Sequence, residues 1–304
     1  MLNKSTWIFP KNNHFSLSMT KNPCTNWHVK SSYVILYQRD AEQLGVISTM
    51  TSSPDLIKVW KDKYKIHSYQ VDSKSMATLV ALGQLLQESA WQHAEHLGLG
   101  FSHLKEKNFI WVLARQLIRV SAYPKWGDTI EVHTWPTGKD RIFCYRDFRI
   151  TDPSGSMVAE ATTTWFVIDL VSRKPQKTDH YYHLELPEEV EIVFPNRLNK
   201  LEPLDSEDFT KLIRVSYGDL DMHLHVNNLR YLEWLINCLP LEFLNTHILK
   251  EVEINYMSEA SYGDEIAACY EKKGNLNFLH RIRRKNDNLE ICRGRSIWEH
   301  MGGS

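Results

Sequence analysis

One order of elements occurs twice in this chain, and that duplication restricts its fold more than any single motif does. An alternating, strand-like stretch at 62–71 leads into an amphipathic helical run through Leu79, Leu82, Leu85, Leu86, Ala90 and Leu97. Gly98 and Gly100 close that helix, and Asp72 or Ser75 is placed to cap its start. Four strand-like runs follow, at 109–120, 128–135, 141–151 and 156–170, with Asp152-Pro153-Ser154-Gly155 as a turn. The series then begins again. A strand is predicted at 209–217 and a helix from about Val226 to Cys238. Strands follow at 249–257, 263–272, 276–284 and 289–299. The halves share a local signature: Trp126-Gly127-Asp128-Thr129-Ile130 answers to Tyr262-Gly263-Asp264-Glu265-Ile266. Strand, long helix and four strands, twice over, is an internal duplication. A long antiparallel sheet wrapped around one central helix is the compact solution for such a unit, giving an α+β chain.

The division expected from this pattern is an N-terminal extension over 1–54, a first repeat over 55–175, a linker over 176–206 and a second repeat over 207–304. Pro175, Pro187, Pro195 and Pro203 lie in or beside a charge-rich joining stretch, as an interdomain linker requires. The first 39 residues lack Asp and Glu, a weak likeness to an organelle transit peptide, and Met50 is an alternative start. Of 304 residues, 42% are hydrophobic and 24% charged, enough apolar material for a sizeable core. The net charge of −1 gives no overall field for nucleic acid. No run approaches the ~18–20 apolar residues of a spanning helix, so no membrane insertion is expected. Cys24, Cys144, Cys238, Cys269 and Cys292 are odd in number and lack paired spacing, which reads as reduced thiols in a reducing compartment.

The chemistry is concentrated between Ser216 and Tyr231. Asp221, His223, His225, Asn227 and Asn228 crowd the N-terminal mouth of the second helix, whose residues Leu229, Leu232, Leu235 and Ile236 mark it as buried. Unpaired N–H groups and the helix dipole favour developing negative charge there. Asp221 and the two asparagines have capping chemistry as well, so local structure alone also accounts for them. A metal site from Asp221, His223 and His225 is a lesser alternative. No second cluster of similar density accompanies it, and neither metal nor cofactor is expected.

The stretch Asp221-x-x-x-His225-Val226-Asn227-Asn228-x-x-Tyr231 resembles the catalytic segment of the acyl-acyl-carrier-protein thioesterases of bacteria and plant plastids. Gln87-Glu88-Ser89-Ala90 and His93-Ala94-Glu95 resemble that family's first helix, and the likeness extends over roughly 60–299. The resemblance implies two tandem hot-dog domains, with acyl-chain specificity in the first and chemistry in the second. It implies Asp221, His225 and Glu259 as catalytic positions. His223 stands where the family usually has Asn, and Ala260 where plant members often have Cys, which argues against a cysteine nucleophile. The expected roles are Glu259, in an enclosed apolar tunnel, as base toward water, and His225 in proton transfer or in fixing that water. Asp221 would orient His225 or cap the helix. His223, Asn227 and helix N–H groups would polarise the carbonyl. Asn227, Asn228, Tyr231 and Trp91 are expected at the substrate, although Tyr231 also suits the core; Leu86 and Phe109 are further candidate lining residues.

The function implied is hydrolysis of acyl-acyl-carrier protein to free fatty acid in fatty acid biosynthesis. An acyl-CoA thioesterase or a non-catalytic acyl-binding hot-dog protein are the alternatives. Arg281, Arg283, Arg284 and Lys285 read first as a solvated strand face and second as a docking face for the acidic carrier. A monomer or homodimer in the cytoplasm is expected, with the plastid as the alternative compartment.

Overall fold

The computed structural model describes residues 57–184 and 190–302. The expected extension, the alternative start at Met50 and Cys24 fall outside the described residues. The first half contains β1 (Trp60–Lys65), α1 (Leu79–His96), α2 (Phe101–Glu106), β2 (Phe109–Val120), β3 (Thr129–Lys139), β4 (Phe143–Thr151) and β5 (Met157–Asp169). The second contains β6 (Phe209–Arg214), α3 (Asn228–Ile236), α4 (Leu241–Thr246), β7 (His247–Tyr256), β8 (Glu265–Lys272), β9 (Asn277–Arg284) and β10 (Glu290–His300). Both opening strands stop earlier than their alternation suggests, because Ser68–Gln70 and Tyr217–Asp219 turn into single 3-10 turns.

All strands join one antiparallel sheet in the order β1-β3-β4-β5-β2-β7-β10-β9-β8-β6. The second half repeats the strand order of the first in mirror sequence, and the halves meet where β2 pairs with β7, Arg115 opposite Asn255 and Ile118 opposite Val252. Each repeat's second strand therefore covers the edge that its neighbour would otherwise expose. The duplicated Gly-Asp signatures do the same work in each half. The Ile66 N–H donates to Asp128 O at 2.8 Å and the Val215 N–H to Asp264 O at 2.9 Å, closing the exit of the opening strand on the start of the third.

The two long helices pack on the sheet's inner face and on each other. Leu82, Leu86, Leu229 and Leu232 share one core with Ile118, Val132, Phe148 and Val252, so both repeats contribute to it. Fully buried Leu82 and Leu232 each contribute about 1.5–3 kcal/mol on transfer grounds, an upper figure against a compact unfolded chain. Gly83 sets the approach of the helices, since a Cβ there would lie 2.6 Å from Leu229 Cδ2.

Between Val193 and Asp205 the joining segment is a strap bound to the sheet. The Val193 N–H donates to Asp147 Oδ2 at 2.9 Å, the Leu201 N–H to Asn255 Oδ1 at 2.6 Å and the Asp205 N–H to Glu271 Oε2 at 2.8 Å. Arg115 and Arg293 return bonds to the carbonyls of Leu198 and Leu201. Buried polar groups of the strands thus find partners in the strap.

Candidate active site

The loop before α3 is built by Asp221. Its Oδ1 accepts the N–H of His223 at 2.8 Å and of His225 at 3.2 Å. The main chain closes from the Asp221 N–H to His225 O at 2.8 Å, with Leu224 left-handed at φ 63°. Asp221 thus holds the backbone of the loop and does not cap α3, contrary to one of the two expectations. The cap is Asn227, whose Oδ1 accepts the Leu229 N–H at 2.9 Å. Among the described residues the Asn228 N–H has no acceptor, an orphan donor at the first turn of a helix.

The first repeat contains the same loop. Asp72 Oδ1 accepts from the N–H groups of Lys74 and Met76 at 2.9 and 3.1 Å, Ser75 is left-handed at φ 60°, and Thr78 caps α1. Neither Asp72 nor Ser75 is therefore the helix cap. The two copies differ in what fills the frame. Lys74 and Met76 occupy the places of His223 and His225, and Tyr123 occupies that of Glu259. In the first repeat the Ala77 N–H is taken by Pro124 O at 2.8 Å, which seals the loop against the segment before β3. In the second, Ala260 gives its own N–H to the Tyr231 hydroxyl at 2.9 Å, and His225 and Glu259 face each other across the join.

His225 Nδ1 lies 3.5 Å from Glu259 Oε1, and Glu259 Oε2 accepts from Arg173 Nη2 at 2.9 Å. Arg284 Nη2 fixes the Glu259 main-chain carbonyl at 3.0 Å. The Glu259 side chain is 41% exposed, so it stands at an open mouth and not in an enclosed tunnel. Arg173 comes from the first repeat, just beyond β5, and nothing in its sequence neighbourhood marks it.

A cavity of about 520 Å³ lies between α1, α2 and strands β2, β4 and β5, and reaches Asp221, His223, Asn227 and Asn228 of the second repeat. Trp91 lines it as expected, beside Phe101, Leu104 and Trp111. The His223 ring meets Phe101 at 5.0 Å, which in turn meets Trp91 at 5.9 Å. Other expectations fail. Tyr231 is 2% exposed in the core, edge-on to Trp234, with its hydroxyl spent on Ala260. Leu86 is in the central core and Phe109 packs on Tyr181. His225 and Glu259 do not line the cavity, and their side chains are 39% and 41% exposed.

Arg146 is an unexpected member of the wall. Its Nη1 donates to His93 Nδ1 at 2.9 Å and Thr134 Oγ1 at 3.1 Å, and burial lowers its pKa to about 10. His93 bonds Ile57 O through Nε2 at 2.8 Å; burial, then the Arg146 charge, lowers its pKa to about 4. Among the described residues no three His, Cys, Asp or Glu side chains form a group that could hold a metal ion.

Two family models cover this architecture. The acyl-ACP thioesterase N-terminal domain matches residues 57–183 and the acyl-ACP thioesterase C-terminal domain matches 202–300. The chain belongs to the acyl-ACP thioesterase family. The oleoyl-acyl carrier protein thioesterase 1 of Arabidopsis thaliana, a chloroplastic protein, is 29% identical over 307 residues, covering 87% of this chain and 85% of that one. The oleoyl-acyl carrier protein thioesterase of Coriandrum sativum is 30% identical over 79% of this chain and 76% of its own. A solved acyl-ACP thioesterase from Bacteroides thetaiotaomicron superposes with a TM-score of 0.69 at 27% identity, covering 80% of this chain and 98% of that one. The 12:0-ACP thioesterase from Umbellularia californica shares the fold with a TM-score of 0.72 at 22% identity, over 80% and 98% of the two chains. The tandem hot-dog architecture is that of these family members. Among the described residues no helix is long and apolar enough to cross a membrane.

Proposed function

We propose that this family member hydrolyses acyl chains from acyl carrier protein, releasing free fatty acid. The observation that carries the reading is the contrast between the duplicated loops. The same Asp-built frame presents Met76 and Tyr123 in one repeat and His225 and Glu259, 3.5 Å apart, in the other, beside the acyl-sized cavity. That contrast also supports assigning the acyl wall to the first repeat and the chemistry to the second. The oleoyl- and palmitoyl-acyl carrier protein thioesterases among the relatives support the substrate class.

In this reading the chain lies along Trp91, Phe101 and Trp111, and the thioester sits at the loop. Glu259 takes a proton from water while the water oxygen bonds to the carbonyl carbon. The oxyanion is met by the unclaimed Asn228 N–H and by the His223 ring in place of an amide. Such donors each contribute on the order of 3 kcal/mol to the transition state. Collapse breaks the C–S bond, and the proton returns through His225 to the leaving sulfur. Arg173 aims the carboxylate and keeps a cation beside it. No step passes through Cys144, Cys238, Cys269 or Cys292, which are buried free thiols. Those thiols suit a reducing compartment, which the cytoplasm and the plastid stroma both provide; the chloroplastic relatives support the second.

The test is thiol release by the purified full-length protein from a panel of acyl-carrier substrates, beside free acyl-CoA. Turnover that prefers carrier-bound chains supports the reading. Equal turnover of acyl-CoA refutes the carrier assignment, and binding of acyl chains without release refutes the enzyme.

A further inference from the structure

The cationic run expected to dock an acidic carrier is already occupied. Arg281 and Arg283 both pair with Glu207, Arg284 with Asp264 and Asp287, and Lys285 with Glu265, so four cations are met by four carboxylates. A surface that attracts an acidic partner needs charge that the protein has not neutralised itself.

Such charge lies on the first repeat, at the rim of the loop. Lys105, Lys107 and Lys174 are exposed and form no ion pair among the described residues, and Glu106 is the acidic residue between the first two. Their two segments are joined: the Leu170 N–H donates to Asn108 O at 2.8 Å, tying the end of β5 to the end of α2. Asp169 is the acidic residue at the start of the second segment, and its Oδ1 accepts from the N–H groups of Val171 and Ser172. Each segment also reaches the candidate site. Lys105 Nζ lies 5.6 Å from the Phe101 ring, which meets His223, and Arg173, beside Lys174, reaches Glu259. Exposed apolar residues lie in the same neighbourhood: Val171 is 83% exposed, Met222 71% and Leu224 69%.

We propose that this rim is where the carrier docks, its acidic surface helix on Lys105, Lys107 and Lys174 and its apolar positions on Val171, Met222 and Leu224. A prosthetic arm leaving such a helix enters directly beside His223 and His225. An apolar centre with a cationic edge fits an acidic, amphipathic helix better than a second copy of this chain, whose matching rim has the same charge. The proposal rests on the carrier-thioesterase reading above and adds the surface to it.

The test uses the full-length protein and two thioesters of one acyl group, the carrier-bound form and the small acyl-pantetheine. For the K105E/K107E/K174E variant, kcat/KM on the carrier-bound substrate falls at least thirtyfold, chiefly through KM. Hydrolysis of acyl-pantetheine stays within twofold, and the salt dependence of the carrier reaction flattens. R281Q/R283Q changes neither substrate more than twofold. Unchanged carrier kinetics in the triple variant, or equal losses on both substrates, overturn the docking surface. A wild-type protein that hydrolyses neither thioester overturns the enzyme reading instead.

Discussion

The two Asp-built loops provide a matched pair of substitutions, Asp221→Ala and Asp72→Ala. Each removes a carboxylate that accepts two backbone N–H groups, at 2.8 and 3.2 Å in the second repeat and 2.9 and 3.1 Å in the first. Each also releases a left-handed residue, Leu224 or Ser75, that the turn holds. Bonds to a charged acceptor contribute about 1.5–3 kcal/mol when buried; at these partly exposed loops about 1 kcal/mol each is the better figure. Either substitution should therefore cost about 2 kcal/mol, a fall in Tm of about 4–8 °C for a chain of this size. The stabilities should match, and the activities should not. Asp221→Ala lets the backbone of His223 and His225 drift, and a shift of ~1 Å in a catalytic group costs on the order of 100-fold. Asp72→Ala displaces Lys74 and Met76, which face no chemistry, and should leave kcat within about threefold. Asp221→Asn keeps an acceptor oxygen and should recover most of the loss. Differential scanning fluorimetry beside saturating acyl-carrier turnover measures both quantities. Equal losses of kcat in the two alanine variants would refute the positional argument, as would an Asp221→Asn protein as inactive as Asp221→Ala.

Three further outcomes follow from the same contacts. His280 is buried with Nε2 on Ser296 Oγ at 2.8 Å, and burial lowers its pKa to about 3; with His93 at about 4, both are neutral in the fold and charge on unfolding. Between the ordinary value near 6.5 and these depressed values the unfolded chain binds more protons, so stability should fall as pH drops from about 6.5 toward 4. Urea midpoints at pH 7 and 5 measure it, with His280→Gln reducing the difference. Tyr231→Phe removes the acceptor of the buried Ala260 N–H and should cost about 1–3 kcal/mol, read as a lower Tm. If His223 serves as a donor to the carbonyl, His223→Asn should keep kcat within about tenfold while His223→Ala loses about 100-fold; equal losses would reject that role.

Much of this architecture was legible because it is written twice. The strand–helix–four-strand order and the paired Gly-Asp signatures state a local folding instruction, and local instructions survive in sequence. The Asp221–Tyr231 stretch was legible as a site for the same reason, since its polar residues are contiguous. What escaped is long-range. Nothing near Arg173 shows that it crosses to Glu259, 86 residues on. The ion pairs that neutralise Arg281 and Arg283 require Glu207 from a distant segment. Tyr231 has the spacing of a site residue, and only the packed helix shows its hydroxyl turned to Ala260. The capping of α1 by Thr78 was readable in principle: aligning Thr78 with Asn227 across the repeats places both caps.

The central claim is that one His–Glu pair in the second repeat performs the hydrolysis. It is tested most directly by kcat at saturating acyl-carrier substrate for wild type, His225→Ala and Glu259→Ala, each with its Tm. The account predicts that both variants lose at least about 100-fold in kcat while their Tm stays close to that of the wild type. A Glu259→Ala protein that turns over like the wild type would contradict it.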